Sequence, residues 1–178
     1  MASTVQKQWL IALATIGTIV GAFALAIVLT SPQAQPTPPP VVSDQVAASA
    51  IYAANQQLIE IGQYVQTGSS NQVDLDVAND LSSFSNDQVA GLKTWAKDNH
   101  VELSESLRSP RFTLVQDHGL VQTIISQKNA ALHMTFKIYL KQLKASVSQV
   151  NPTDIAESMR TRVSDLGSRV DTALTKLG

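Results

Sequence analysis

The chain has 178 residues, 15% of them charged and 5% aromatic, with 13 Lys and Arg against 14 Asp and Glu and no cysteine. A near-balanced charge without basic clusters excludes a nucleic-acid partner, because phosphate binding needs grouped cations to displace counterions. The missing cysteine excludes disulfides, thiolate zinc sites and cysteine nucleophiles together.

Residues 1–8 are short and polar and carry Lys7. Trp9 to Leu29 follows, WLIALATIGTIVGAFALAIVL, with no charge and nothing more polar than threonine. As a helix rising about 1.5 Å per residue, it spans roughly 30 Å, the thickness of a bilayer's hydrocarbon core. Lys7 on one side and no charge until Asp44 on the other place the N-terminus in the cytoplasm by the positive-inside bias. Lys7 and Trp9 are the expected interface residues. Gly17 and Gly21 form a GxxxG, the spacing that lets two membrane helices approach closely. The alternative is a cleaved signal peptide and a secreted product, but the apolar run is long for one and its small-x-small sites are poorly placed.

Residues 30–42 contain Ser31 to Pro40, SPQAQPTPPP, with five prolines in ten positions. Such a stretch favours extended polyproline II and acts as a semi-rigid spacer. The domain proper is expected over 43–178. Its first helix opens at Ser43-Asp44 and places Ala47, Ile51, Ala54, Leu58, Ile61 and Val65 at alternating steps of four and three, ending at Thr67-Gly68. The second opens near Ser70 and Asn71 and carries Val73, Val77, Leu81, Phe84, Gln88, Leu92 and Trp95 as far as Asn99. So short a connection predicts antiparallel neighbours.

His100 to Arg111 reads as a longer connection. A third helix is expected from Phe112 through Leu114, Val121, Ile125, Leu132, Phe136, Tyr139, Leu143 and Val147, with Gly119 an irregularity. The fourth starts at Asn151-Pro152-Thr153-Asp154, a capping Asn followed by proline and an acid in the first turn, and runs along Ala156, Met159, Val163, Leu166, Val170, Ala173 and Leu177. The expected fold is therefore all-α: one transmembrane helix, a proline-rich linker and an antiparallel four-helix bundle. An extended coiled coil with a partner chain is the alternative.

Motifs for chemistry are sparse. A carboxylate-bridged dimetal centre needs a Glu-x-x-His pair on each of two helices. Glu60, Glu102, Glu105 and Glu157 have no histidine three positions on. The serines lie outside any nucleophile elbow, and no glycine-rich phosphate loop occurs. No catalytic residue and no cofactor are assigned, and an enzyme is not expected. His118, His133 and Asp117 are the only candidates for a metal, and a lone histidine on an apolar stripe is more often a hydrogen-bonded structural residue. Lys137, Lys141 and Lys144 read as a solvated face near a helix C-terminus, and Gln88 as a hydrogen bonder that sets register.

Asn55 to Lys176 resembles a family of secreted bacterial proteins of unknown function with a ferritin-like four-helix bundle. The resemblance rests on the order of helices and on Leu92-Lys93-Thr94-Trp95-Ala96-Lys97-Asp98-Asn99-His100-Val101-Glu102-Leu103 at the end of the second. That family carries an Asp-His pair upstream, where this chain has Asp87-Gln88. His133 matches a family histidine, whereas Ser168 and Arg169 stand where a further one is expected. The resemblance implies a retained bundle and extracytoplasmic placement, with most of a metal site lost. The expected function is that of a membrane-anchored periplasmic accessory or scaffold subunit in the bacterial inner membrane. Its expected partners are the lipid bilayer, other membrane or envelope proteins and a second copy of the chain. The alternative is a ferritin-like metal or small-ligand binding protein of the periplasm.

Overall fold

The computed structural model describes residues 42–107, 109–115 and 118–178. The transmembrane and linker expectations, with Lys7, Trp9, Gly17 and Gly21, lie outside the described residues, as does Asp117. Within them the chain is all-α, with α1 Asp44–Gly68, α2 Gln72–Asp98, α3 His118–Ser126, α4 Asn129–Ser148 and α5 Glu157–Leu177 packed as a bundle. Among the described residues no helix is long and apolar enough to cross a membrane.

α1 starts where its cap predicts. The Ser43 side chain accepts from the Val46 N–H, and Asn71 does the same for Val73 at the head of α2, each satisfying a donor that the first turn leaves unpaired. α2 stops at a Schellman turn: the Val101 N–H bonds Ala96 O at 3.0 Å and the His100 N–H bonds Lys97 O at 3.3 Å. His100 occupies the left-handed position that glycine usually fills, at φ 55°.

Cross-helix contacts fix the directions. Gly62 of α1 meets Ala78 and Ser82 of α2, so the two run antiparallel across the Ser69–Asn71 connection. Val147 meets Gly167 and Lys144 pairs with Asp171, which makes α4 and α5 a second antiparallel hairpin. Gln88 with Arg162 and Asp80 with Arg169 set α2 antiparallel to α5. Gln57 with Tyr139 and Gly68 with Leu132 do the same for α1 and α4.

One long crossover links the hairpins. It leaves α2 beside the start of α1, where Gln45 Nε2 donates to Glu102 O at 2.9 Å and the Ser104 N–H to Ser49 Oγ at 3.2 Å. It turns at Ser109–Phe112, closed by a 3.0 Å bond from the Phe112 N–H to Ser109 O with Pro110 at the position that presets φ. It then descends through α3 until Gln127 lies beside Gly68 at the far end of α1. Phe112 and Leu114 are buried against the core while Thr113 is exposed, the alternation of an extended segment.

The third expected helix is thus corrected. Phe112 to Val115 is not helical, and two helices replace one, broken at Gln127-Lys128 with Asn129 at φ 51°. The fourth is corrected at its start. Pro152–Asp154 forms a separate 3-10 turn capped by Asn151, Ile155 is extended and buried, and α5 begins only at Glu157. The Asp154 carbonyl is occupied by the Val42 N–H at 2.9 Å, which ties the entry of the domain to this turn.

Leu58, Leu81, Phe136, Leu140, Leu166 and Val170 fill the interior. Val73, expected on the apolar stripe, is 42% exposed, and Asp74 is buried instead. The closest approach of α1 and α2 depends on Gly62, because a Cβ there would fall on the Ser82 hydroxyl, itself buried without a partner. Replacing a mid-helix glycine by alanine normally gains about 1 kcal/mol. Gly62→Ala alone should forfeit that gain, and Gly62→Ala with Ser82→Ala should recover it, a coupling of about 1 kcal/mol in a double-mutant cycle read by urea unfolding.

Candidate functional site

Two polar sites lie at the edges of this apolar interior. The first is built at the N-termini of α2 and α4. Ser69 Oγ accepts from the Asn71 N–H at 3.1 Å and donates to Asp74 Oδ2 at 2.8 Å. Asp74 lies in the first turn of α2, where the helix dipole favours negative charge, and its side chain is fully buried. Its other oxygen, Oδ1, is 2.6 Å from Nδ1 of His133 in the second turn of α4. A carboxylate accepts, so Nδ1 is the donor of this contact and Nε2 is the ring nitrogen that the carboxylate leaves unengaged.

His133 is 24% exposed and lines a groove of about 360 Å³ with Ser70, Asn71, Asn129, Ala130 and Met134. Asn129 begins α4, and its Oδ1 accepts from Ser70 Oγ at 3.1 Å across the groove mouth. Lys128, at the N-cap position of α4, makes no side-chain capping bond.

The second site is a cavity of about 150 Å³ between α1 and the crossover, lined by Gln56, Gln57, Glu60, Glu105, His118 and Gln122 among others. Tyr139 lies behind it, fully buried, with its hydroxyl 3.5 Å from Gln57 Oε1. Burial, and secondarily the negative charge of Glu60, holds the Tyr139 phenol far above the ordinary tyrosine range.

The structure does not bring His118 and His133 together. His118 is exposed at the start of α3 and lines one cavity with Glu60 and Glu105, whereas His133 bonds Asp74 beside the other, and the two cavities share no lining residue. Leu114 is outside α3, so the apolar stripe expected to include His118 does not form. Among the described residues no three His, Asp or Glu side chains are grouped to hold a metal ion. Asp87 is exposed, Gln88 accepts from Arg162 Nη1 at 3.1 Å, and Arg169 bonds Asp80 at 3.1 Å while lying over the Phe84 ring. Lys137 and Lys144 reach α5 at the Gly178 carbonyl and Asp171, while Lys141 is exposed.

Asp74 and Ser69 escape a reading of the sequence. An acid three residues after a capping Asn resembles any first-turn carboxylate, and only its spacing of three and four from Val77 and Ala78, both buried, hints at an inward role. Comparison with protein-family models, with characterised proteins and with solved structures finds no match to this chain.

The Tyr139 shift has a readable consequence. An unfolded chain loses the phenol proton near pH 10.0, the ordinary tyrosine value, while the folded chain keeps it. Above that pH the folded state binds more protons, so stability falls as pH rises, by up to about 1.4 kcal/mol per pH unit from this one group. Tyr139→Phe should remove that component: between pH 10 and 12 the unfolding free energy of the wild type should decline more steeply than that of the variant.

Proposed function

We propose that this is a single-pass membrane protein whose helical bundle lies outside the cytoplasm and acts through protein contacts, as an accessory or scaffold subunit of a membrane or envelope complex. The observation that carries this reading is the uncharged run from Trp9 to Leu29 followed by the proline-rich spacer. A helix of that length suits a bilayer, and the spacer keeps the bundle within some tens of ångströms of it. The segment before Trp9 then faces the cytoplasm, and the bundle stands in the periplasm, tethered to the inner membrane. Apolar side chains occupy the centre of the bundle, where dimetal proteins of this architecture place their ligands, and this also favours contact over chemistry. Met134 and Ile138, one turn apart on the outward face of α4, are 57% and 44% exposed.

A second reading, a ferritin-like metal or small-ligand binding protein, is favoured by the connectivity. Two antiparallel hairpins joined by one long crossover is the arrangement of ferritin-like folds, and it agrees with the resemblance carried by the Leu92–Leu103 segment.

Chemical cross-linking in native membranes followed by isolation in mild detergent separates the two. The scaffold reading expects a discrete cross-linked species that contains this chain and is lost or weakened when Gly17 and Gly21 are both changed to leucine. A strictly monomeric chain, with no cross-linked partner before or after substitution, would count against it.

A further inference from the structure

The domain is entered at one defined point. Val42, the first described residue, is buried in the core, and its N–H donates to Asp154 O at 2.9 Å. Beside that point lies a groove of about 280 Å³ at the turn between α4 and α5, walled by Val147, Val150, Pro152, Ile155 and Val163. Pro152 opens the 3-10 turn that Asp154 closes, and Ile155 follows it, so the groove begins within two residues of the bond that holds Val42. Val147 and Val150 pack against the core yet stay partly exposed, an apolar surface that the described residues leave open. The two polar lining residues are Arg160 and Ser164. Arg160 is fixed by its bonds to Ile155 O at 3.2 Å and to Glu157 Oε2 at 2.8 Å, which use two of the five N–H groups of its guanidinium.

We propose that the chain's own Pro38-Pro39-Pro40-Val41 lies along this groove and straps the entry of the domain to the α4–α5 hairpin. The occupant follows from where the described chain begins: Val41 is joined to Val42, and Val42 is fixed at the edge of the groove, so these four residues pass within reach of it. Length agrees. Four residues of polyproline II extend about 12 Å, and α5 rises about 11 Å between Glu157 and Ser164. Proline rings and a valine offer apolar surface to valine walls, and three consecutive prolines have no N–H to bury unpaired. Their carbonyls, which polyproline II leaves without internal partners, are acceptors for the remaining N–H groups of Arg160. A segment already confined by its rings loses little freedom on docking. Attachment at Val42 also gives it a local concentration that a separate partner or a second copy lacks. Four residues that read as spacer thereby belong to the bundle, which shortens the spacer by about 12 Å. The proposal is independent of the membrane reading, because a secreted product cleaved before Pro38 would keep the same four residues.

The test exploits the absence of cysteine, since one introduced thiol reports its own exposure. Ser164→Cys is a near-isosteric change at an exposed position of the groove wall, and Thr175→Cys, exposed near the other end of α5, is the reference. Each is alkylated with a maleimide in the full chain in detergent. Replacing the strap by Pro38→Gly, Pro39→Ser, Pro40→Gly and Val41→Ser together should raise the rate at Ser164→Cys about tenfold, as expected where only an undocked tenth of the molecules reacts. The rate at Thr175→Cys should not change. Val150→Asp, a charge placed in the groove wall at a partly exposed position, should release the strap to the same extent, and adding it to the strap replacement should have no further effect. Helical circular dichroism controls for the fold, and the strap replacement leaves every described residue intact. An unchanged rate at Ser164→Cys after strap replacement would overturn the proposal, as would an equal rise at Thr175→Cys, which marks general loosening. Protection that grows with protein concentration, the sign of a second copy in the groove, or that exists in native membranes and vanishes in detergent, the sign of another occupant, would overturn it as well.

Discussion

Everything else in the bundle depends on how α1 is buried. A helix at the edge of a bundle hides one stripe, but the first half of α1 hides Ala47 to Ile51 without a gap and then Ala53, Ala54 and Asn55. α2 covers one side, α4 another, and the crossover runs down a third. Only small side chains tolerate three neighbours at once, which is why this half of α1 is rich in alanine while the lower half, at Leu58, Ile61 and Val65, returns to a single stripe. Gly62 carries the same logic further, allowing α2 so close that a Cβ there would fall on the Ser82 hydroxyl. The hydrogen bonds from Ser104 to Ser49 and from Gln45 to Glu102 show the crossover bound to α1 by polar contacts where it is not bound by apolar ones.

The crossover is also a requirement of direction. α2 ends beside the start of α1, and α4 begins beside its end, so the chain must travel the length of the bundle between them. That path is longer than α3 alone can cover, since nine helical residues rise only about 14 Å. The remainder is extended chain, anchored by Phe112 and Leu114, and it is this extended stretch that defeated the periodicity. A buried extended segment and a helix both place apolar residues two to four positions apart, so Phe112 and Leu114 join smoothly onto the stripe of α4. Phe112-Thr113-Leu114 alternates with period two, and Gln127-Lys128-Asn129 is a polar interruption. Those were the signals that the expected single helix was really an extended strand-like segment and two helices.

α1 and α2 were legible for the opposite reason. Their capping residues, Ser43 and Asn71, sit directly before sustained steps of four and three, so local chemistry and pattern agree at the same positions. The start of α5 was less so. Asn151-Pro152 does cap a helical turn, but a 3-10 turn, because the Asp154 carbonyl is taken by Val42, a residue more than a hundred positions away that no local pattern reveals. The site around His133 was half legible. The histidine could be singled out, but its carboxylate lies on another helix, and the pairing exists only because α2 and α4 begin at the same end of the bundle.

The distribution of polar groups then bears on what the bundle is suited to do. A centre filled by Leu81, Phe136 and Leu166 has no room for a buried ionic cluster, and the isolated polar atoms at the contact of α1 and α2, Asn55 Oδ1, Ser82 Oγ and Ser85 Oγ, are too few and too weakly coordinating to recruit one. Among the described residues, the one buried ionisable pair lies instead where helices begin, Asp74 of α2 with His133 of α4. Helix ends are where backbone groups lack partners and where side chains can reach both a neighbouring helix and solvent. A bundle whose centre is filled by apolar side chains has its polar groups available for binding at such edges. His133, held by the buried Asp74 where α2 and α4 begin together, occupies one such edge.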